Sequence, residues 1–226
     1  MKKNILIKLE NVWKIYKIGK VEIAALRGVN IGIEKKEFVA VMGPSGSGKS
    51  TCVNLIGCLD KPTKGQIYLG GENINNFSRS RLSSIRGEKI GFVFQQFNLI
   101  NTLSILENVM LPMIFYNIDL NERITRAKKI LEKMGLSNRL NHYPNEISGG
   151  EKQRVAIARS LANNPDIIIA DEPTGNLDSK KGKEIMEILE KLHKMGKTIV
   201  LVTHDKILAE FAKRIIYIKD GKNIEI

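Results

Sequence analysis

Cysteine and aromatic residues are scarce in this chain, long apolar runs are missing, and its positive charge is not gathered into blocks. The only cysteines among 226 residues are Cys52 and Cys58. They lie close together on what reads as one helix, Cys52 to Leu59, so a disulfide-stapled scaffold is excluded and both are expected to be buried free thiols. Aromatics make up 6% of the chain. Lysine and arginine are scattered with little aromatic interleaving, so a dedicated nucleic-acid binder is not expected. No stretch of roughly 18 apolar residues occurs, which excludes a helix that spans a bilayer. The start, Met1-Lys2-Lys3-Asn4, is positive, but Lys8 and Glu10 interrupt the apolar residues after it and no small-residue cleavage site follows. A signal peptide is therefore not expected, and the chain is placed in the cytoplasm, free or docked.

The hydrophobic content of 42% fills a sizeable core, enough for one large domain or one domain with an inserted lobe. A net charge of +12 suits an anionic partner, whether nucleotide, nucleic acid or an anionic membrane leaflet, without choosing among them. Short β-type segments dominate the first third: Ile5 to Val12, the alternation of Val29, Ile31 and Ile33, and Gln66 to Leu69 closed by Gly70-Gly71. These predict antiparallel strands and a hairpin. Phe38 to Met42, Ile167 to Ala170 and Thr198 to Thr203 are continuously apolar, as strands buried on both faces are. From about residue 100 to 163 the pattern turns helical, through Ile124, Ala127, Ile130, Leu131 and Met134, with Pro112 and Pro144 as punctuation. A further helix is predicted from Ser179 to Met195, and Ile215 to Ile224 around Asp220-Gly221 reads as a closing hairpin.

Gly43-Pro44-Ser45-Gly46-Ser47-Gly48-Lys49-Ser50-Thr51 follows a buried strand and precedes a helix. Glycines there let successive backbone N–H groups converge on phosphate oxygens, and the helix N-terminus adds partial positive charge. Lys49 reaches the β and γ phosphates, and Ser50 supplies a hydroxyl to Mg²⁺. Such a loop predicts nucleotide binding but is shared by kinases, GTPases, helicases and transport ATPases. Asp171 and Glu172 leave the apolar strand Ile167 to Ala170 where a parallel sheet opens its ligand crevice. Asp171 is the candidate Mg²⁺ ligand, and Glu172 is the candidate base that polarises a water for in-line attack. His204 ends the next apolar strand and is a candidate γ-phosphate sensor. His142 and His193 carry no such role.

Ile147-Ser148-Gly149-Gly150-Glu151 stands before a helix expected from about Glu151 to Asn163. Ser148 and Glu151 have the spacing of a capping box. The two glycines between them are not needed for capping, and they would let backbone amides approach a second anion.

With these motifs in this order, the chain resembles the ABC (ATP-binding cassette) ATPase family over essentially its whole length. The resemblance implies an α/β P-loop NTPase core with a mixed sheet, an N-terminal antiparallel β subdomain and an inserted α-helical subdomain. It implies one domain over 1–226: 1–96 as β subdomain and start of the core, 97–163 as helical subdomain, 164–226 as the remainder. By the same resemblance Tyr16 stacks on adenine, with Trp13 a competitor. Gly43, Ser45, Gly46, Ser47, Gly48, Lys49, Ser50 and Thr51 hold the phosphates of ATP. Gln95 in Phe92-Val93-Phe94-Gln95-Gln96 matches the Q-loop, with adjacent Gln96 the alternative, and is implied as a catalytic residue and Mg²⁺ ligand. Ser148, Gly149 and Gly150 match the signature, Asp171 and Glu172 the Walker B end, Asp178 the D-loop, and His204 the switch histidine. Asp178 also suits the N-cap of the helix from Ser179.

Two positions depart from the family's Leu-Ser-Gly-Gly-Gln signature, Ile147 and Glu151; the second adds a negative charge. The resemblance implies a homodimer, joined head to tail, with each ATP between the phosphate loop of one copy and Ser148 to Gly150 of the other. Ile56 to Gly65, Ile90 to Leu99 and Glu107 to Pro112 look like the macrolide-export and lipoprotein-release type. That type implies a permease on a separate membrane-spanning chain and a place on the cytoplasmic face of the cell membrane. Two other readings stay open: an ABC ATPase acting on nucleic acid or ribosomes, and a regulatory subunit without turnover. The complete catalytic set argues against the latter.

Overall fold

The computed structural model describes residues 4–224. They fall into two compact units, one within Met1–Arg86 and Leu192–Ile226, the other within Gly87–Lys191.

In the first unit, β1 (Ile5–Ile18) and β2 (Val21–Glu34) form a long antiparallel hairpin. β4 (Lys64–Leu69) and β5 (Glu72–Asn73) extend it in the order β2-β1-β4-β5. Ile7, Leu9, Ile31, Ile33 and Ile67 are buried from this sheet, as their alternation requires. Both long strands run further than the apolar alternation predicts. Their outer ends carry Lys14, Lys17 and Glu22 and hold to each other through the ladder rather than through burial.

A second, mixed sheet of the same unit has the order β10-β9-β3-β8. β3 (Phe38–Met42) and β8 (Thr198–Val202) are buried at every residue and run parallel, and β9 (Arg214–Lys219) flanks β3 on the other side. β10 (Lys222–Ile224) returns antiparallel after Asp220-Gly221, both at positive φ as in a tight hairpin turn. α1 (Lys49–Ile56) follows the phosphate loop. Its last turn ends at Gly57, so Cys58, at φ 55, lies beyond the helix rather than on it, contrary to expectation. Both thiols are buried and free. Burial pushes Cys52 up to about 12 and Cys58 up to about 11, the latter partly offset by Arg86. The helix α2 (Arg79–Lys89) was not foreseen, because Leu82 and Ile85 are its only buried residues and make no visible stripe. The short α7 is Lys206–Ala209.

In the second unit, β6 (Ile90–Phe94) and β7 (Ile167–Asp171) pair in parallel, with Phe94 opposite Asp171. Around them stand α3 (Ile105–Ile114), α4 (Leu120–Lys133), α5 (Gly149–Ser160) and the start of α6 (Ser179–Lys194). Ser104, Asp119 and Ser148 cap α3, α4 and α5 through their side chains. Ala127, Leu131 and Met134 are buried at helical spacing. Pro112 does not end a helix; it sits inside α3, two residues from the end, where its missing N–H forfeits a single helical bond. Pro144 begins a one-turn 3₁₀ segment, Pro144–Glu146. Among the described residues no helix is long and apolar enough to cross a membrane.

Asn108 on α3 is fully buried and binds the segment before its own helix. Its Oδ1 accepts the Ile100 N–H at 2.8 Å, and its Nδ2 faces the carbonyls of Ile100, Leu103 and Ser104 at 3.0–3.1 Å. Asn108→Ala strands these buried groups and is expected to cost about 2–3 kcal/mol, read as a lowered free energy of urea unfolding.

Candidate functional site

Adjacent parallel strands release their loops at the same end, and each unit uses one such pair. In the first unit the pair is β3 and β8, with Val41 opposite Val202. β3 delivers the phosphate loop and β8 delivers Thr203 and His204. The loop turns without room for side chains at two points. A Cβ on Gly43 would overlap the Ile218 carbonyl oxygen and lie 2.8 Å from Ser47 Oγ; one on Gly48, at φ 104, would lie 2.5 Å from the Ala25 carbonyl oxygen. The closing hairpin braces the loop, since Gly221 N–H donates to the Ser47 carbonyl at 2.9 Å.

Lys49 curls over its own loop and donates from Nζ to the carbonyls of Gly43 and Pro44 at 2.9 and 2.7 Å. Ser45, Gly46 and Ser50 are exposed, Thr51 is half-buried and Ser47 is buried. The exposed His204 follows Thr203, whose hydroxyl accepts the Asp205 N–H at 3.0 Å. Asp205 then caps α7. His193 is half-buried and packs edge-on against Phe38, 5.7 Å between centroids.

Tyr16, half-buried on β1, donates its hydroxyl to Asp60 Oδ2 at 3.2 Å. Lys14 Nζ sits 5.0 Å from the centre of the Tyr16 ring and 2.7 Å from Asp60 Oδ1. Burial alone would raise the Asp60 carboxyl, but Lys14, the Lys61 N–H and Tyr16 outweigh it and hold the pKa below its ordinary value. Trp13 is engaged elsewhere, its indole N–H donating to Asn11 Oδ1 at 3.2 Å.

In the second unit the pair is β6 and β7. Gln95 and Asp171-Glu172 leave these neighbouring strands at one end. Glu172 has φ 46, an uncommon backbone for a non-glycine residue, and its carbonyl accepts the Gly175 N–H at 3.1 Å. Gln95 lies against the turn that follows: its carbonyl accepts Asn176 Nδ2 at 2.9 Å, and a Cβ on Gly175 would come 2.7 Å from its Nε2. Asp178 accepts the Lys181 N–H at 2.9 Å, and this bond and the Lys181 ammonium lower its pKa.

α5 opens as its sequence predicts, though at Gly149 rather than Glu151. Ser148 is the N-cap with a complete capping box to Glu151. Gly149 and Gly150 have no positive φ; a Cβ on Gly149 would meet the side chains of Leu177 and Phe97 at 3.4 and 3.8 Å, and one on Gly150 that of Lys181 at 3.2 Å. Neither the backbone nor a rigid neighbour demands glycine. Gly149 is half-buried and Gly150 is buried, and both stand in the first turn of a helix, where backbone N–H groups lack helical partners.

Among the described residues no group of three or more His, Cys, Asp or Glu side chains stands ready to hold a metal. The Ser50 hydroxyl and the Asp171 carboxylate are sparse, hard oxygen donors. Each is a donor of the kind Mg²⁺ takes, an ion that keeps most of its coordination for water and phosphate oxygens.

The family model for ABC transporters matches residues 26–175. The chain belongs to the ABC transporter family. An ABC transporter ATP-binding protein of Methanocaldococcus jannaschii, MJ0796, is 57% identical over 96% of this chain and 94% of its own length. The macrolide export ATP-binding/permease protein MacB of Hyphomonas neptunium is 47% identical over 97% of this chain, which spans 34% of that longer protein. Among solved structures, the post-hydrolysis dimer of the cassette MJ0796 bound to ADP and Pi superposes with a TM-score of 0.89 at 54% identity, covering 97% of each chain. The α/β cassette fold and the ATPase class expected from the motifs are those of this family.

Within this ABC cassette, three interactions escaped the reading of the motifs. Gln153, fully buried on α5, reaches the backbone beside Gln95 and Glu172. Arg159, also on α5, donates to the carbonyls of Asn98 and Phe97 at 2.5 and 2.9 Å. The Lys14–Asp60 pair fixes Tyr16. Gln153 and Arg159 were detectable only as polar residues in a helix rich in buried apolar ones, near Ala156 and Ile157.

The signature departure at Glu151 has a measurable consequence. The Ser148 N–H and then its hydroxyl, at 2.9 and 2.8 Å, hold the Glu151 carboxyl down to about 2 from 4.5, with Arg139 adding to the effect at 3.1 Å. A depressed carboxyl pKa contributes stability that is complete above the unfolded value and is lost as pH falls through the folded value. Glu151→Gln is therefore expected to be less stable than wild type by a constant margin at neutral pH. The margin should close between about pH 4.5 and 2, followed by circular dichroism during acid titration.

Proposed function

We propose that this cassette hydrolyses ATP to drive a separate membrane permease, two copies closing head to tail around two nucleotides. One observation carries the dimer: the chain has two glycine-bearing helix N-termini, at α1 and α5, each of a kind suited to an anion, but one strand end bearing the Asp171-Glu172 carboxylates. A second copy gives each of those anion sites a purpose. The dimeric relative bound to ADP and Pi supports this arrangement. The permease is supported by MacB, named an ATP-binding/permease protein, of which this chain matches 34% of the length.

In this reading Tyr16 stacks on the adenine, and the backbone N–H groups of Gly43 to Thr51 hold the phosphates. Lys49 exchanges its two loop carbonyls for the β and γ phosphates. Ser50, Asp171 and Gln95 are the residues that would hold Mg²⁺, which neutralises charge on the transferred phosphoryl group. Glu172 accepts the proton of a water whose oxygen bonds to the γ phosphorus as the bond to the ADP oxygen breaks. His204 donates to the γ phosphate, while Ser148, Gly149 and Gly150 of the opposing copy close on it and Asp178 faces that copy. ATP that binds only the closed dimer favours closure by mass action, and loss of the γ phosphate reopens it. The chain acts as one domain over 1–226, with a helical subdomain at 97–163, peripheral on the cytoplasmic face through its permease.

Two variants test the assignment. Glu172→Gln is expected to keep ATP affinity, lose about 10²–10³-fold in kcat and accumulate an ATP-dependent dimer on size-exclusion chromatography. Turnover at the wild-type rate would remove Glu172 as the base. Lys49→Ala removes the charge that meets the phosphates and is expected to weaken ATP binding by about tenfold or more in a fluorescence titration. Unchanged affinity would contradict the phosphate-loop assignment.

A further inference from the structure

Gln153 is buried completely, on the helix that begins at the signature residues. A single donor group, Nε2, faces two backbone carbonyls: Pro173 at 2.7 Å and Phe94 at 3.3 Å. Pro173 directly follows Glu172, and Phe94 directly precedes Gln95. The Phe94 carbonyl stands at the end of β6, where the ladder stops opposite Asp171, and the Pro173 carbonyl lies two residues past the end of β7. Beyond the ladder Pro173 has no N–H to give, and Glu172 holds a left-handed φ of 46 that costs about 1–2 kcal/mol for an L-residue. The loop therefore needs tethers from outside the sheet. The Gly175 N–H on the Glu172 carbonyl is one, and Gln153 is another.

Only an amide of this length serves both strand ends. Its orientation is set by chemistry, because two carbonyl acceptors require the NH₂ group and the reverse orientation would point oxygen at oxygen. The cost is visible in Gln153 Oε1, which is buried and has no hydrogen-bond partner among the described residues. An apolar side chain of equal length would fill the space without that cost, so packing does not account for a glutamine here.

We propose that Gln153 is a positioning residue for hydrolysis, its side-chain amide clamping the backbone just before Gln95 and just after Glu172 and tying both to the signature helix. The proposal rests on the catalytic roles given to Glu172 and Gln95 above. Displacement of a catalytic group by about 1 Å is enough to cost up to about 10²-fold in rate. Movement of α5 when its N-terminus meets nucleotide is transmitted through this amide to the hydrolytic residues.

The test uses the full chain with Gln153→Met, nearly isosteric but without a donor, and Gln153→Glu, isosteric with a donor only when protonated. Gln153→Met is expected to lower kcat by about tenfold or more while the ATP dissociation constant changes by less than about twofold. The carboxylate of Gln153→Glu faces two carbonyl oxygens at neutral pH, so its kcat relative to wild type is expected to rise as pH falls from about 8 to about 6. Wild-type turnover in Gln153→Met, a loss of kcat matched by an equal loss of affinity or folded fraction, or a flat pH ratio in Gln153→Glu would each overturn the proposal. If Gln153→Met does not fold, the pH ratio decides. Glu172→Gln measured alongside separates the two readings: an active Glu172→Gln overturns the catalytic assignment and this inference with it, whereas a dead Glu172→Gln beside a normal Gln153→Met overturns the clamp alone.

Discussion

Backbone amides bind an anion only if the chain can bring several of them to one place without side chains between, and the elements that carry the site follow from that demand. β3 is buried at every residue, so its end is a fixed point from which the phosphate loop departs. At that departure Gly43 passes so close to the Ile218 carbonyl that no Cβ fits, and Gly221 bonds back to Ser47. The closing hairpin of the chain is thereby committed to supporting a loop that lies far earlier in sequence. Parallel pairing with β8 sets His204 on the exit of the neighbouring strand.

The second unit repeats the device with β6 and β7, but its loop begins with an acidic pair rather than glycines and has to be held by other means. α5 supplies much of the hold. Its N-terminus presents Ser148 to Gly150; one turn on, Gln153 ties the strand ends; further along, Arg159 grips the carbonyls of Phe97 and Asn98. Burial lowers the Arg159 pKa without neutralising so strong a base, and the two carbonyls meet a planar cation that cannot swing freely. One helix thus touches signature, Q-loop and the turn after Glu172. Glu151 extends its reach to Arg139 and anchors the cap with a charge that the family's usual glutamine lacks.

Much of this was legible in the residues alone. Buried strands showed as unbroken apolar runs, the capping box at Ser148 as a spacing, and the closing hairpin as Asp220-Gly221. β1 and β2 outrun their apolar alternation because ladder bonds, not burial, hold the outer ends. α2 escaped because two apolar residues make no stripe. Pro112 reads as punctuation in the helical stretch, yet late in α3 it removes one bond and the helix continues through it. Cys58 was placed on a helix that ends before it, since Gly57 and a left-handed turn look like helix continuation in an apolar stretch.

The sequence by itself determined which chemical groups each loop carries, because a glycine-rich phosphate-loop pattern, a capping box and an acidic strand end are written in residues that are contiguous or a turn apart. Gly43 to Thr51, Ser148 to Glu151 and Asp171-Glu172 are complete as written. Only the tertiary structure decided how those loops are held. The partners of Gln153 lie 59 and 20 residues from it, and the left-handed backbone of Glu172 is a property of the packed chain. A buried amide has no preference for a carbonyl until folding removes water and leaves it a choice of two; no local pattern records that choice.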